Sequence, residues 1–245
     1  MSNNMQTLRQ TIGRLPVLGP IAKQIYRAIT PGNASQFSSS QYWEQRYAHG
    51  GNSGAGSYGR LAEFKADAIN RFVKEHSIQS IIEFGSGDGS QLELARYPAY
   101  TGVDVSANAV QQCQAKFKND PTKRFMLTSN PEVEKAHAEL AMSLDVIYHL
   151  VEDAVYDQYM TRLVAAAENF VCIYSSNVAK TSPATHVRHR VFMDWMRTKA
   201  PTWKLILKVD NPFPEDPQKP DETSWADLYF FEKQPTPSQA HPLRA

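Results

Sequence analysis

The chain has 245 residues, of which 42% are hydrophobic, and its 26 Lys and Arg residues almost balance its 25 Asp and Glu residues, for a formal net charge of +1. This balance does not support a general polyanion-binding surface, so we expect no nucleic-acid partner. No apolar run approaches the roughly 18 residues of a membrane span, and the N-terminus lacks a secretory signal. These features favour a cytoplasmic protein of one or two domains.

Residues 1–40 are predicted to form a basic extension and linker. They contain no Asp or Glu, and Arg9, Arg14, Lys23 and Arg27 lie among aliphatic residues that follow helical spacing. Two interpretations of this amphipathic helix remain open. It packs against the main domain or a second subunit, in a monomer or a homodimer, or it makes a peripheral contact with the anionic inner face of a membrane.

Residues 41–60 are predicted to form a lid. The aromatic segment Tyr42-Trp43-Glu44-Gln45-Arg46-Tyr47 precedes a run that is rich in glycine. Such a run alone is typical of a solvated linker, which is the alternative. Aromatic and guanidinium groups beside glycine also suit a segment that closes on a ligand and excludes water. The candidate ligand-binding side chains here are Arg46, Tyr47, Tyr58 and Arg60.

A glycine-rich turn between two short strands is the most informative part of the sequence. After a helix over 61–76, a strand over 78–84 runs into Gly85-Ser86-Gly87-Asp88-Gly89, and a second strand, over 100–105, contains Asp104. Such a turn opens a helix whose N-terminus meets a ligand, and glycine lets the backbone approach that ligand closely. An acidic residue at the end of the second strand is placed to accept hydrogen bonds from a ribose. We therefore predict a nucleoside site.

The pattern acid-x-Gly-x-Gly-x-Gly, present as Glu83, Gly85, Gly87 and Gly89, closely resembles motif I of the class I S-adenosylmethionine-dependent methyltransferases. Ser90 stands where a dinucleotide fingerprint has its third glycine, which disfavours a pyrophosphate ligand. The resemblance implies an α/β fold with a seven-stranded Rossmann-like sheet and S-adenosyl-L-methionine as the cofactor. The cofactor contacts that it implies come from Tyr47, Tyr58, Glu83, Gly85, Ser86, Gly87, Asp104, Val105 and Ser143.

The segment 138–153 is the second informative stretch. An apolar strand again breaks into polar and aromatic residues at its carboxyl end, where open α/β sheets bind ligands. It resembles motif IV of small-molecule methyltransferases, which implies that Tyr148 and His149 face the acceptor. Histidine, with an ordinary pKa of about 6.5, can take the proton that an alcohol acceptor must lose. We therefore predict His149 as the general base, with Tyr148 beside it and Glu152 or Asp153 orienting the ring; a purely structural histidine is the alternative.

A metal site is not predicted around His149, because no second carboxylate cluster follows the next strand. Between the strands we expect a helix after Gly89 and another over 107–117. The two cysteines, Cys113 and Cys172, lack the spacing of metal ligands and are expected to be reduced core thiols. The later elements are predicted as a helix over 154–168 and strands over 170–174, 203–209 and 226–233.

An apolar stripe over 187–196 predicts a further helix, with four cationic side chains at or before its first turn. Cations oppose the dipole at a helix N-terminus, which suggests that they bind an anionic or polyhydroxylated acceptor. A solvated turn is the alternative. The predicted acceptor-binding residues are Arg46, Arg60, Asn177, His186, Arg188, His189 and Arg190.

The segments Y-W-E-x-R-Y and S-G-x-G-S-Y-G resemble the N-terminal cap of a methyltransferase subgroup found among enzymes of bacterial surface-polysaccharide synthesis. The resemblance implies an O-methyltransferase for a hydroxyl of a sugar, nucleotide sugar or glycan. Methylation of a polar natural product or an amine is an alternative, and so is a non-catalytic nucleoside-binding module of the same fold. The domain is predicted to cover 41–233, followed by a disordered tail over 234–245.

Overall fold

The computed structural model describes residues 37–235, so the predicted basic helix and all but the start of the predicted tail lie outside the described residues. In the described part, the α-helices are α1 (Ser39–Ala48), α2 (Gly59–Glu75), α3 (Ala107–Lys116), α4 (Asp153–Ala166) and α5 (Phe192–Lys199). The strands are β1 (Ser80–Phe84), β2 (Ala99–Asp104), β3 (Lys123–Leu127), β4 (Ala138–Leu144), β5 (Ala167–Ser175), β6 (Trp203–Val209) and β7 (Asp227–Lys233).

The strands form one seven-stranded sheet in the order β3-β2-β1-β4-β5-β7-β6. Strand β7 is antiparallel to both of its neighbours, whereas the pairs among β1 to β5 are parallel. The carboxyl ends of β1, β2 and β4 therefore meet at one edge of the sheet. Chain order reverses between β1 and β4, which is where open α/β sheets bind their ligands.

Helices cover both faces of the sheet, because successive residues of a strand point to opposite sides. Ile81 belongs to an apolar cluster with α2 and α3, whereas its neighbour Ile82 belongs to a second cluster with α4 and α5. Burial on both faces explains why the central strands read as continuous apolar runs. Cys113 and Cys172 are buried and free, as predicted.

The prediction of an α-helix after Gly89 is wrong. The structure has a short 3-10 helix there, Gln91–Leu94, and Ala95 is already extended with ψ at 145°. Pro98 precedes β2, and proline disfavours the helical conformation in the residue before it. The chain therefore leaves the helical conformation after one 3-10 turn, and local apolar spacing was a misleading signal.

The helix predicted over 187–196 begins later than expected, at Phe192. The four cationic side chains precede it, which agrees with their predicted place at or before its first turn: His186, Arg188, His189 and Arg190. The amide of Arg188 donates to the carbonyl of Tyr148 at 2.7 Å, which holds this segment against the loop after β4. The argument from the helix dipole therefore does not apply to these cations.

Glu83 is a buried carboxyl group at the carboxyl edge of the sheet. The Tyr100 hydroxyl, on β2, donates to its Oε2 at 2.6 Å. Burial raises the pKa of Glu83 to about 7, whereas a glutamate in the unfolded chain titrates at about 4.3. Between these values the folded protein holds a proton that the unfolded chain has released, so this group's contribution to stability is lost as the pH rises.

We predict that Glu83→Gln, which keeps an acceptor for Tyr100, removes this pH dependence. As the pH rises from about 5 to about 8, the wild type loses unfolding free energy and the variant does not. The difference between them should therefore grow by up to about 3 kcal/mol in favour of the variant. Urea unfolding at the two pH values measures the difference. Glu63→Gln, at an exposed position on α2, is the matched control. Equal pH dependence in the wild type and Glu83→Gln would contradict the raised pKa.

Candidate functional site

Asp104, the last residue of β2, fixes the glycine-rich loop at the carboxyl edge of the sheet. Its side chain is buried, and its two carboxylate oxygens accept hydrogen bonds from the amides of Gly87 and Ser106, each at 2.9 Å. The amide of Gly85 donates to the Val103 carbonyl at 2.6 Å. Burial raises the pKa of Asp104, although the two amide hydrogen bonds act in the opposite direction.

Other segments pack on this loop at distances that only glycine permits. Gly85 and Gly87 have positive φ values of 87° and 57°. A Cβ at Gly85 would lie 2.4 Å from Cγ2 of Val146, and one at Gly87 would lie 2.3 Å from Oγ of Ser53 and 2.9 Å from the Tyr47 hydroxyl. Both the backbone conformation and the available space therefore require glycine here.

The predicted lid contacts the glycine-rich loop through Asp88. The Tyr58 hydroxyl and the Ser53 amide donate to Oδ2 of Asp88, at 2.7 Å and 2.9 Å. The Asp88 amide donates back to Oγ of Ser53 at 2.9 Å, and this hydroxyl lies 3.0 Å from that of Tyr47. Burial opposes ionisation of Asp88, but its hydrogen bonds from Tyr58 and Ser53 lower its pKa. Residues of the 41–60 segment therefore lie directly against the loop.

The two arginines of this segment make contacts within the protein. Arg46 Nε donates to the Asn52 carbonyl at 2.7 Å, and its guanidinium lies 5.5 Å from the centre of the Trp43 ring. Arg60 forms an ion pair with Glu222 at 3.3 Å. Neither arginine is among the residues that line the cavity described next, and their role in acceptor binding stays a prediction.

A cavity lies between the glycine-rich loop, α1, α4 and the segment after β4. The predicted site residues that line it are Tyr47, Glu83, Gly85, Ser86, Gly87, Asp104, Val105 and His149. Oγ of Ser86 is buried and has no hydrogen-bond partner among the described residues. The Val105 side chain is 40% exposed although it is aliphatic. Both features are typical of a surface that binds a ligand.

Ser143 and Tyr148 do not line the cavity. Ser143 is fully buried, and its hydroxyl lies 2.8 Å from that of Tyr159. Tyr159 itself lines the cavity. The Tyr148 hydroxyl donates to Oδ1 of Asp145 at 2.6 Å. The structure thus gives both residues intramolecular partners, and their predicted ligand contacts stay predictions.

His149 lines the cavity as a neutral ring with a defined tautomer. Its Nδ1 lies 2.9 Å from the carbonyl oxygen of His186. A carbonyl can only accept, so Nδ1 carries the proton and Nε2 keeps its lone pair. The Trp43 ring packs edge-on at 4.9 Å, and the His186 ring stacks at 5.4 Å. Burial lowers the pKa of His149 to about 4, so the ring is uncharged at neutral pH.

The predicted orientation of His149 by Glu152 or Asp153 is wrong, because the His186 carbonyl takes that position. Glu152 accepts hydrogen bonds from the amide of Ser39, at 2.9 Å, and from the Ser39 hydroxyl. Glu152 therefore provides the acceptor for the Ser39 amide, which has no partner within the first turn of α1. The two residues are 113 positions apart in the sequence.

Arg188 and Arg190 clamp the segment that carries His149. Both form ion pairs with Asp153, at 3.0 Å and 3.1 Å. Arg190 also donates to the carbonyl of Leu150 at 2.6 Å. These contacts give both arginines a structural role that does not require a bound methyl acceptor.

The other predicted acceptor residues have partners of their own. Asn177 Oδ1 accepts from the amide of Met193 in the first turn of α5, at 3.2 Å. Buried His189 lies 2.8 Å from the hydroxyl of Ser176 through Nδ1. The His186 ring stacks on Tyr42 at 4.7 Å, beside His149. Acceptor binding by these residues stays a prediction.

Sequence reasoning missed the ion pair between Lys65 and Asp145, which both line the cavity. Lys65 Nζ lies 2.6 Å from Oδ2 of Asp145, and the lysine side chain is 1% exposed. The signal was available, because Lys65 lies four residues after Leu61 and four before Ile69, on the apolar face of α2. The cavity residues of α4 were missed as well: Val155, Gln158, Tyr159 and Arg162.

Within residues 37–235, no group of three or more His, Cys, Asp and Glu side chains is arranged to hold a metal ion. Across the same residues, we find no helix with the length and apolar character that crossing a membrane requires.

No family model and no curated protein matches the sequence. The N-methyltransferase NodS from Bradyrhizobium japonicum WM9, in complex with S-adenosyl-L-homocysteine, matches the structure with a TM-score of 0.62 at 14% identity, over 80% of this chain and 99% of that one. Magnesium protoporphyrin IX methyltransferase (ChlM) from Synechocystis PCC 6803, with bound SAM, matches with a TM-score of 0.58 at 12% identity, over 83% of this chain and 100% of that one. The chain therefore has the fold of these methyltransferases, which confirms the predicted fold class.

Proposed function

We propose that this protein is an S-adenosylmethionine-dependent O-methyltransferase that acts on a hydroxyl of a sugar, nucleotide sugar or glycan, with His149 as the general base. The cofactor part is supported by the fold, since the two neighbours described above have SAM or S-adenosylhomocysteine bound. It is also supported by the loop, which presents glycine and a buried carboxylate at the edge of the sheet.

The residues around the cavity fit the cofactor. Gly85, Ser86 and Gly87 line the cavity, and the Ser86 hydroxyl lacks a protein partner among the described residues. Gly85, Ser86 and Gly87 would hold one side of the ligand, and Asp104 its ribose. Val105 offers an exposed aliphatic surface to its base. When bound, the cofactor supplies a methyl group attached to a positively charged sulfur.

The observation that carries the base assignment is the hydrogen bond between His149 Nδ1 and the His186 carbonyl. It leaves Nε2 unprotonated in a side chain that lines the cavity. A histidine with a pKa of about 4 is a weak base in water. It suffices here, because a hydroxyl that gains a methyl group becomes strongly acidic as the new bond forms. Such proton transfer typically contributes about 10²–10⁴-fold to a rate.

A sugar acceptor is supported by the aromatic surroundings of His149. Trp43 and His186 flank the ring, and Trp225, which packs against Tyr148, is 38% exposed. Flat rings beside polar imidazoles suit the apolar faces and hydroxyl groups of a sugar. The cap segment's resemblance to methyltransferases of surface-polysaccharide synthesis points to the same class.

The proposal is tested first by calorimetric titration with S-adenosylhomocysteine and, in parallel, with NADH. Binding of the former alone is expected. Sugars, nucleotide sugars, glycans and amines are then incubated with labelled SAM, and methylated products are identified by mass spectrometry. Methylation of amines alone would overturn the acceptor class, and cofactor binding without any turnover would indicate a binding module.

Gly87→Ala is predicted to weaken S-adenosylhomocysteine binding by at least about tenfold, because the new methyl group meets Ser53 and forces the lid away from the loop. Gly59→Ala is a matched control, since Gly59 also has a positive φ, 53°, but no atom within 4 Å of its added Cβ. Both variants carry the same backbone strain, but only Gly87→Ala adds a collision with Ser53, so thermal unfolding should report the larger loss of stability for Gly87→Ala. Wild-type affinity in Gly87→Ala would refute the packing argument.

His149→Ala is predicted to lower kcat by about 10²–10⁴-fold while S-adenosylhomocysteine affinity stays within about threefold. Because burial lowers the pKa of His149 to about 4, wild-type kcat should be flat from about pH 6 to about pH 8 and fall only as the pH approaches that value. His137→Ala, at an exposed position, is the control. A kcat limb near the ordinary pKa of about 6.5 would argue against this environment for the base.

A further inference from the structure

Lys65 is a charged residue at a core position, and it faces the cavity. Its neighbours on the same face of α2, Leu61 and Ile69, are fully buried. The ammonium group lies 2.6 Å from Asp145 Oδ2 and 4.9 Å from the centre of the Tyr174 ring. Burying such a pair costs several kcal/mol of desolvation per ion, and its net effect on stability is often small. Stability alone therefore gives little reason for a lysine here.

The backbone at Asp145 is strained as well. Its φ is 60°, in the left-handed region that non-glycine residues seldom adopt. A Cβ on Gly56 of the lid segment would lie 2.5 Å from Asp145 Oδ2. Gly56 therefore packs directly against the ion pair. Backbone strain of the kind seen at Asp145 concentrates at ligand sites.

Gln91 contributes a complementary group to the same cavity. Its side-chain Nε2 donates to the Ala62 carbonyl at 3.0 Å. Its Oε1 is buried and has no hydrogen-bond partner among the described residues. Ala62 and Lys65 are one helical turn apart on α2, so the free acceptor and the ammonium group approach the cavity from the same side.

We infer that Lys65 and Gln91 form the site for the amino-acid end of the cofactor, an inference that rests on the proposed function. Lys65 binds the carboxylate, and Gln91 Oε1 accepts from the ammonium group. Asp145 holds the lysine side chain in place. The buried cation suits the carboxylate of that end, and the buried free acceptor suits its ammonium group.

The test pairs each side chain with the ligand group that it should recognise. Calorimetry compares S-adenosylhomocysteine with its decarboxylated analogue, which lacks only the carboxylate, on the wild type and on Lys65→Met. The wild type should prefer the intact ligand by at least about tenfold, as expected for a charged hydrogen bond, and Lys65→Met should lose this preference. Because both ligands are measured on the same variant, a general loss of affinity or stability cancels.

The same comparison applies to Gln91→Leu with the deaminated analogue, which lacks only the ammonium group. Lys65→Met/Asp145→Asn removes the charge that Lys65→Met alone leaves unpaired, and it should show the same lost preference. Lys123→Met is the control, since Lys123 is also largely buried and pairs with Asp120 away from the cavity. It should keep the wild-type preference.

The outcomes separate the two proposals. If the wild type binds no S-adenosylhomocysteine, the proposed function fails, and the inference fails with it. If the wild type binds it but does not prefer it over the decarboxylated analogue, the inference alone is overturned. A preference that survives in Lys65→Met would likewise assign the carboxylate to another group.

Discussion

The buried Asp104 carboxylate is the contact on which the arrangement of the site depends. It accepts a hydrogen bond from the Gly87 amide and so fixes the position of the glycine-rich loop at the edge of the sheet. In that position Gly87 packs directly against Ser53 and Tyr47. The next residue, Asp88, then receives the Tyr58 hydroxyl. One carboxylate on β2 therefore determines where the lid segment can rest, although the lid lies far away in sequence.

The parts of this arrangement that could be predicted are those whose signal is local. Glu83, the glycine-rich loop and Asp104 lie within one strand–turn–strand unit, so their spacing carries the geometry. The central strands were recognisable because burial on both faces makes them continuously apolar. The position of His149 followed from a rule about strand ends, since the carboxyl ends of parallel strands share one edge.

The parts that could not be predicted depend on contacts between distant residues. The partner of Lys65 is 80 residues away, and the group that orients His149 is a backbone carbonyl 37 residues away, which no side-chain pattern reveals. Acidic residues near His149 in sequence were the plausible orienting groups, but Glu152 is used to satisfy α1 and Asp153 to hold two arginines. Local apolar spacing also suggested an α-helix after Gly89, where the structure has a short 3-10 helix that ends before Pro98.

Desolvation acts in the same sense on three titratable groups that line the cavity. It raises the pKa of Glu83 and Asp104 and lowers that of His149, so each shift favours the neutral form of the group. A cationic ligand that entered such a site would stabilise the ionised carboxylates that burial penalises. Because the pKa of Glu83 is raised to about 7, such binding would be coupled to the release of a proton from Glu83. A ligand of the same shape without the positive charge would gain nothing from them, so these buried acids favour a cation over its neutral counterpart.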